Sequence, residues 1–288
     1  MNTVDMYNSE LGLDTFARPV SSRMGYWTGW KTIAKWLGLT ALIFTYAPLV
    51  WLALMSISEK PLSGMPFPLS FEHYRALADE PRWVEPFMAS VIIGLLVAFV
   101  CMVIATAVGR AIPYSRRPGS FVLFAVIPLF VPGMSIGAAL FIFLRTVLGL
   151  KLGYWAIFLG HLIWALPFSL LIVLVIAVRF DYRLLEAAED LGASSWRRFW
   201  DIEFPSLRPG IVGAGLFGFL LSFNEILRST FLRGTEATMP VWNWIMAASQ
   251  QSQVPIIFSL ATIVLLVTLP LLGGFFWLLF VKLDRASS

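Results

Sequence analysis

Charged side chains are scarce in this sequence: Asp, Glu, Lys and Arg together make up 13% of it, against 58% hydrophobic residues and a mean hydropathy of +0.79. Soluble domains carry roughly a quarter charged residues, so an ordinary soluble domain is excluded and a membrane protein is indicated. Cysteine occurs once, at Cys101 inside an apolar run, which excludes an intramolecular disulfide and a cysteine-based metal site. Histidine occurs twice, at His73 and His161, too few and too isolated for a zinc H-E-x-x-H motif or a Ser-His-Asp set. The five lysines follow Trp30, Ala34, Glu59, Leu150 and Val281. None follows a glycine, as a phosphate-cradling G-x-x-x-x-G-K-[ST] loop requires. The chain is therefore expected to be no enzyme, with no catalytic residue and no metal ligand of its own. The start of the chain mixes Asp5, Glu10 and Asp14 with Arg18 and Arg23 and lacks the short apolar core of a cleavable signal peptide. The net charge of +4 is spread beside apolar segments rather than gathered in a patch, so it argues for orientation in a membrane and against a nucleic-acid partner.

What is abundant is apolar length. A bilayer core about 30 Å thick takes about twenty apolar residues in a helix. Six runs meet that requirement, at 36–56, 88–109, 121–144, 155–177, 207–228 and 257–281. The expected architecture is all-α, a polytopic domain of six transmembrane helices over 36–282, flanked by a tail at 1–35 and a short terminus at 283–288. Prolines within or at the ends of the runs, among them Pro48, Pro128, Pro132, Pro167 and Pro270, are tolerated where neighbouring helices satisfy the freed carbonyls. Glycines such as Gly94, Gly213, Gly215 and Gly218 permit close helix approach. With the N-terminus inside, fourteen of the 21 Lys and Arg residues fall on the inner side. The remaining seven, Lys60, Arg75, Arg82, Arg145, Lys151, Arg228 and Arg233, fall on the outer side or at outer helix ends. That asymmetry places both termini and the loop 179–206 in the cytoplasm.

That loop contains the longest charge-rich amphipathic stretch of the chain, EAAEDLGASSWRRFWDIEFP at 186–205. Leu184, Ala187, Ala188 and Leu191 make one apolar side of a helix, and Gly192 is a natural terminator because it adopts positive φ freely. A second run sets Trp196, Phe199, Trp200 and Phe204 against Arg197, Arg198, Asp201 and Glu203, with Pro205 expected to end it. Two short helices joined at a glycine form a compact knob, and the paired alanines let another backbone approach. The spacing resembles the signature loop of membrane subunits of bacterial ABC importers: E-A-A, three residues, G, nine residues, I, one residue, L-P. Glu186, Ala187, Ala188, Gly192, Ile202 and Pro205 fall in register, while Phe204 stands where the family has leucine. The resemblance implies a type I ABC importer permease fold and a coupling role, toward a cytoplasmic ATPase, for those residues and Ala193. It further implies two ATPase subunits, a second, different permease chain, and a periplasmic substrate-binding protein as partners. ATP and Mg would then be held by the ATPase, with no cofactor on this chain, and the location would be the bacterial inner membrane.

Glu225 is the most telling intramembrane charge, expected in the outer half of the fifth helix. A carboxylate there is costly unless it is paired or lines a wet cavity. Two readings stay open: an intrahelical pair with Arg228, or an acidic group in the solute pathway together with Ser222 and Asn224. His161, with Trp164 near it in the fourth run, is read as a neutral histidine bonded to a neighbouring backbone, and His73 as a solvated loop residue. Ser222-Phe223-Asn224-Glu225, followed by Phe231-Leu232-Arg233-Gly234 and Thr238-Met239-Pro240-Val241-Trp242, resembles the corresponding motifs of spermidine/putrescine-type permeases. Asn224 replaces their usual aspartate, and Trp242 falls two residues early. The implied solute is a polyamine or related cationic amine. Opines, amino acids, aminophosphonates and ferric iron, carried by the same branch, are the alternatives. The segment 239–249 is expected as a short interfacial helix. A secondary transporter would show inverted repeats, and a membrane-embedded enzyme would show clustered intramembrane His, Asp or Glu; neither is visible. Purified alone, the chain should hydrolyse no ATP; intrinsic turnover in a detergent-solubilised sample would contradict the missing phosphate loop.

Overall fold

The computed structural model describes residues 24–79 and 81–277. Most of the expected N-terminal tail, the terminus at 283–288 and the last residues of the sixth run lie outside them. The chain divides into two compact units, Met1–Ser70 and Phe71–Ser288. The first holds one long helix, α1 (Met24–Ser56), whose apolar stretch Trp30–Ser56 is long enough to cross a membrane. A turn follows it, closed by an antiparallel bridge between Ser58 and Leu69.

Among its described residues the second unit is built of helices joined by short connections: α2 (Glu72–Asp79), α3 (Val84–Ala111), α4 (Pro118–Phe130), α5 (Gly133–Val147) and α6 (Tyr154–Ala177). Next come α7 (Arg183–Asp190), α8 (Ser195–Phe223), α9 (Leu227–Leu232), α10 (Met239–Ser249) and α11 (Val254–Trp277). Among the described residues five helices are long and apolar enough to span a bilayer, or six spans if α4 and α5 together make one broken span.

The core of this unit is a three-way packing of α3, α6 and α8. Lipid supplies no hydrophobic drive for such contacts, so association depends on how closely the backbones fit. Gly218 is where α8 meets α3: a Cβ there would stand 3.1 Å from Ala98 Cα and 3.2 Å from Cys101 Cβ. Gly210 does the same toward α6, where a Cβ would lie 3.4 Å from Val173 Cα. Cys101 is fully buried with Ile93, Val97 and Ile157 in this core. A second cluster joins Leu77, Met239, Trp242 and Leu260, so α10 is packed into the unit through one face while Trp244 stays exposed.

Four expectations change. The third run is two helices, Pro118–Phe130 and Gly133–Val147, bent by 90°. Val131 is extended (ψ 128°) and Pro132 follows it with φ −54° and ψ 135°. Proline disfavours the helical region for its predecessor and offers no N–H, so the helix breaks between them. Pro205 does not end the second amphipathic run. The helix continues from Ser195 to Phe223 because a π-helical segment at Arg198–Glu203 resets the hydrogen-bond register just before the proline. The fifth run stops at Phe223, and α9 is a separate helix. His73 lies in α2 rather than in a loop, half-buried, with Nε2 lacking a hydrogen-bond partner.

Candidate functional site

Two regions collect the residues singled out by sequence. The first is the connection between α6 and α8. Asp181 Oδ1 accepts the Arg183 N–H at 3.0 Å, which satisfies one of the donors left free where α7 begins. At the other end Gly192 takes φ +81°. Its N–H reaches the Glu189 carbonyl at 2.8 Å, and the Ala193 N–H reaches the Ala188 carbonyl at 2.9 Å. These bonds satisfy carbonyls that a helix end leaves free, and the left-handed residue between them makes glycine the suitable occupant. Ser194 then caps α8, its Oγ accepting the Arg197 N–H at 3.4 Å.

Ion pairs join the two helices of this knob and tie it to the core. Arg198 pairs with Glu189, tying α8 to α7, and also donates to Ser195 Oγ at 3.2 Å. Arg110 at the end of α3 donates through Nε to Glu203 Oε1 at 2.6 Å, and its guanidinium sits 4.4 Å from the Phe199 ring centroid. Glu203 is buried, so this contact anchors the start of α8 to the three-helix core. Between α3, α7 and α8 lies a cavity of about 590 Å³, lined by Arg110, Tyr114, Tyr182, Glu186, Glu189 and Arg198 among others. Burial is the main cause pushing the Tyr182 hydroxyl above its ordinary pKa, aided by Tyr114 and Glu203 and opposed by Arg110.

Of the residues expected to couple to a partner, Glu186, Ala187, Gly192 and Pro205 are exposed, while Ala188, Ala193 and Ile202 are half-buried. Around them Leu184, Leu191, Trp196 and Trp200 are also exposed, Leu191 by 89% and Trp196 by 71%. A cluster of large apolar side chains beside charged ones is the composition of a protein contact surface.

The second region is the break between α8 and α9. The Asn224 carboxamide bonds back to the Leu220 carbonyl at 2.9 Å. Glu225 turns inward, where Oε1 accepts the Arg228 N–H at 3.0 Å and Oε2 accepts from Arg228 Nη1 at 2.7 Å. Its carboxylate thus caps the first turn of α9 and neutralises Arg228 together. Both side chains are buried, at 7% and 2% exposed. Glu225 therefore lies in a break rather than within the fifth helix, and the pairing with Arg228 is the arrangement observed. Arg228 also stacks on Trp164 of α6, 4.4 Å from its ring centroid. His161 does not bond to a backbone: its Nδ1 meets Ser222 Oγ at 2.8 Å and its Nε2 meets Ser229 Oγ at 2.7 Å. Of Ser222, Asn224 and Glu225, only Asn224 is exposed. Ser229, His161 and Arg110 are not among the sequence candidates for a site, and the bonds that join them to Ser222, to each other and to Glu203 span 61 to 93 residues of chain.

Residues 118–282 match the family described as binding-protein-dependent transport system inner membrane component. The chain is 26% identical over 232 residues to the spermidine/putrescine transport system permease protein PotC of Haemophilus influenzae, covering 79% of this chain and 89% of that protein. It is also 26% identical over 254 residues to the trehalose transport system permease protein SugB of Mycobacterium tuberculosis, covering 85% and 92%. Its fold is similar to a chain of a bacterial ABC transporter involved in the import of the acidic polysaccharide alginate. That superposition has a TM-score of 0.65 at 15% identity and covers 90% of this chain and 100% of that one.

The Arg110–Glu203 contact generates a test. Arg110→Ala leaves a buried carboxylate without its partner, an expected loss on the order of 1–3 kcal/mol. Adding Glu203→Gln should recover part of it, because the stranded charge is gone. Thermal unfolding of the purified chain in detergent reads both; equal midpoints for the single and double variants would reject the anchoring role.

Proposed function

The chain belongs to the family of binding-protein-dependent transport system inner membrane components and is an importer-type permease of the ABC class; on that premise we propose how it works and what it carries. It takes no part in ATP chemistry itself. ATP and Mg bind two separate ATPase subunits, a periplasmic binding protein delivers the solute, and a second, different permease chain completes the pathway. Both termini and the loop 179–206 face the cytoplasm of a bacterial cell.

One observation carries the coupling assignment: the α7–Gly192–α8 knob is stiff and exposed at once. The turn bonds at Gly192 and Ala193 and the Arg198–Glu189 pair hold its two helices together, and Arg110–Glu203 holds it to the core. A force applied by an ATPase at Glu186, Ala187 and Ala188 would therefore move α8 as a rigid body rather than deform a loop. Gly192, Ala193, Ile202 and Pro205 shape the surface that receives the push. Alternating access follows: ATP binding closes the ATPases, rocks the permeases outward and admits the solute, and hydrolysis resets them.

The proposed solute is a polyamine or related cationic amine, supported by the similarity to the PotC protein and by the motifs around Asn224 and Gly234. The similarity to a trehalose permease supports a second reading, in which the same importer type takes another solute, and opines, amino acids, aminophosphonates and ferric iron belong to it. The pathway role rests on Asn224, the exposed member of the three candidate residues; the charge of Glu225 is already matched by Arg228.

Two measurements test this. ATP hydrolysis by the assembled importer in lipid, with its binding protein, should be stimulated by putrescine or spermidine more than by an opine, an amino acid, an aminophosphonate or trehalose. Stimulation by one of the latter alone rejects the polyamine assignment and keeps the permease. Gly192→Val should abolish uptake while leaving the chain in the membrane. A left-handed backbone costs a branched residue about 1–2 kcal/mol, and no neighbouring atom lies within 4 Å of the added Cβ. Normal uptake by that variant would reject the coupling role of the turn.

A further inference from the structure

The break between α8 and α9 contains no proline and no glycine; local side chains cap it, and contacts from a distant helix span it. The side chain that bridges its two sides comes from α6. His161 touches both sides at once, Ser222 in α8 and Ser229 in α9. Its protonation pattern follows from its partners. Ser229 Oγ donates its only proton to the Glu225 carbonyl at 2.9 Å, so toward His161 it can only accept, and Nε2 must carry the hydrogen. The ring is 1% exposed. With Nε2–H donating, a neutral Nδ1 accepts from the Ser222 hydroxyl, and all three groups are satisfied.

Arg228, the neighbour of Ser229 in α9, adds contacts to two further elements. Trp164 of α6 lies against its guanidinium. On α5, a Cβ at Gly133 would stand 3.2 Å from both Nη atoms, so a side chain there would press on the guanidinium. The α4–α5 bend and the α8–α9 break, two interruptions in apolar spans, therefore meet at one arginine. Its Nε and Nη2 have no hydrogen-bond partner. An arginine buried with donors unused is costly, and its neighbours must hold it in this position.

We infer that His161 and Arg228 are positioning residues that clamp the two broken spans together and so keep Asn224 turned to the exposed side of the break. The residue they act through is Asn224, and its place in the solute pathway rests on the proposed function above. The clamp itself rests only on the contacts. His161 fixes the gap between Ser222 and Ser229 that contains the Asn224 turn. The Glu225–Arg228 pair then sets the first turn of α9 against α5 and α6. In membrane proteins interrupted helices are tolerated where they are buried in protein or line a cavity, and here the inner side of the break is buried while Asn224 faces out.

The test uses the assembled importer in lipid, with Asn224→Cys in a Cys101→Ser background and a charged methanethiosulfonate reagent as probe. Thiol reactivity reports how position 224 is presented. His161→Leu, which cannot bridge the serines and loses both bonds, should change the modification rate by about tenfold or more, tenfold being the scale of one buried hydrogen bond. It should also reduce the solute moved per ATP hydrolysed. His161→Gln supplies one donor and one acceptor and should stay near the rate of the unaltered histidine; Ser222→Ala, which removes only the bond to His161 Nδ1, should fall between. A merely space-filling histidine predicts a different order, with Leu and Gln alike. Equal rates for Leu and Gln, an unchanged rate in Leu, or a thiol at position 224 that is unreactive in every background would each overturn the clamp. The two readings fail separately. If Asn224→Ala leaves putrescine uptake unaltered, the pathway role of Asn224 is lost, whereas the ratio of thiol reactivities still decides the clamp.

Discussion

Inside a bilayer no water replaces a lost backbone hydrogen bond, so a helix can break only where other groups take over its unpaired donors and acceptors. The α8–α9 break obeys that constraint through side chains. Glu225 receives an N–H of the new helix, and Ser229 donates to the Glu225 carbonyl. Arg228 then balances the charge that the capping carboxylate brings in. The pair is thus a consequence of the break as much as a feature of the sequence. Capping with an uncharged residue would have left Arg228 alone in the core. Burying an ion pair is seldom a net gain in stability, so its presence is better explained by the geometry it fixes.

The α6–α8 connection follows the same logic under different solvent conditions. Arg198–Glu189 is partly exposed and contributes little to stability. Its effect is on stiffness, since it joins two helices that meet at a left-handed glycine. Arg110–Glu203 is the stronger contact because the carboxylate is buried and the guanidinium is stacked on Phe199. Between these two pairs the knob is attached to the core at the point where the π-helical segment lets α8 pass Pro205 without breaking. A helix that ended at that proline would separate the knob from the span. The continuous helix makes knob and span one lever.

Much of this was legible in the sequence, and the limits follow from range. Apolar runs and the glycine at 192 are local signals, and α3, α6, α10 and the end of α7 follow them closely. The 90° bend at Val131–Pro132 also has a local cause, the proline pair at 128 and 132, although the run reads as one span by hydropathy alone. The interruption at Asn224 has none. Leu221 to Arg228 carries no helix breaker, and the groups that stabilise the break include His161, brought there by the packing of α6 on α8. Pro205 does not act as a terminator for a related reason, because a π-helical register shift depends on how Glu203 and Phe199 seat against Arg110. What decides these two places lies 61 to 93 residues away in the chain.

The buried pair also changes where solute selection has to reside. A free carboxylate at 225 would have attracted any cation in the pathway, through a field that a low-dielectric wall strengthens. Matched by Arg228 at hydrogen-bond distance, it offers almost no net charge to a passing solute. On the exposed side of the break stands the Asn224 carboxamide, which can donate and accept but holds no charge. A chain built this way discriminates weakly by charge at that level. What the chain shows here is geometry: α8 carries the exposed knob at one end and, at the other, a break held by Glu225, Arg228 and His161.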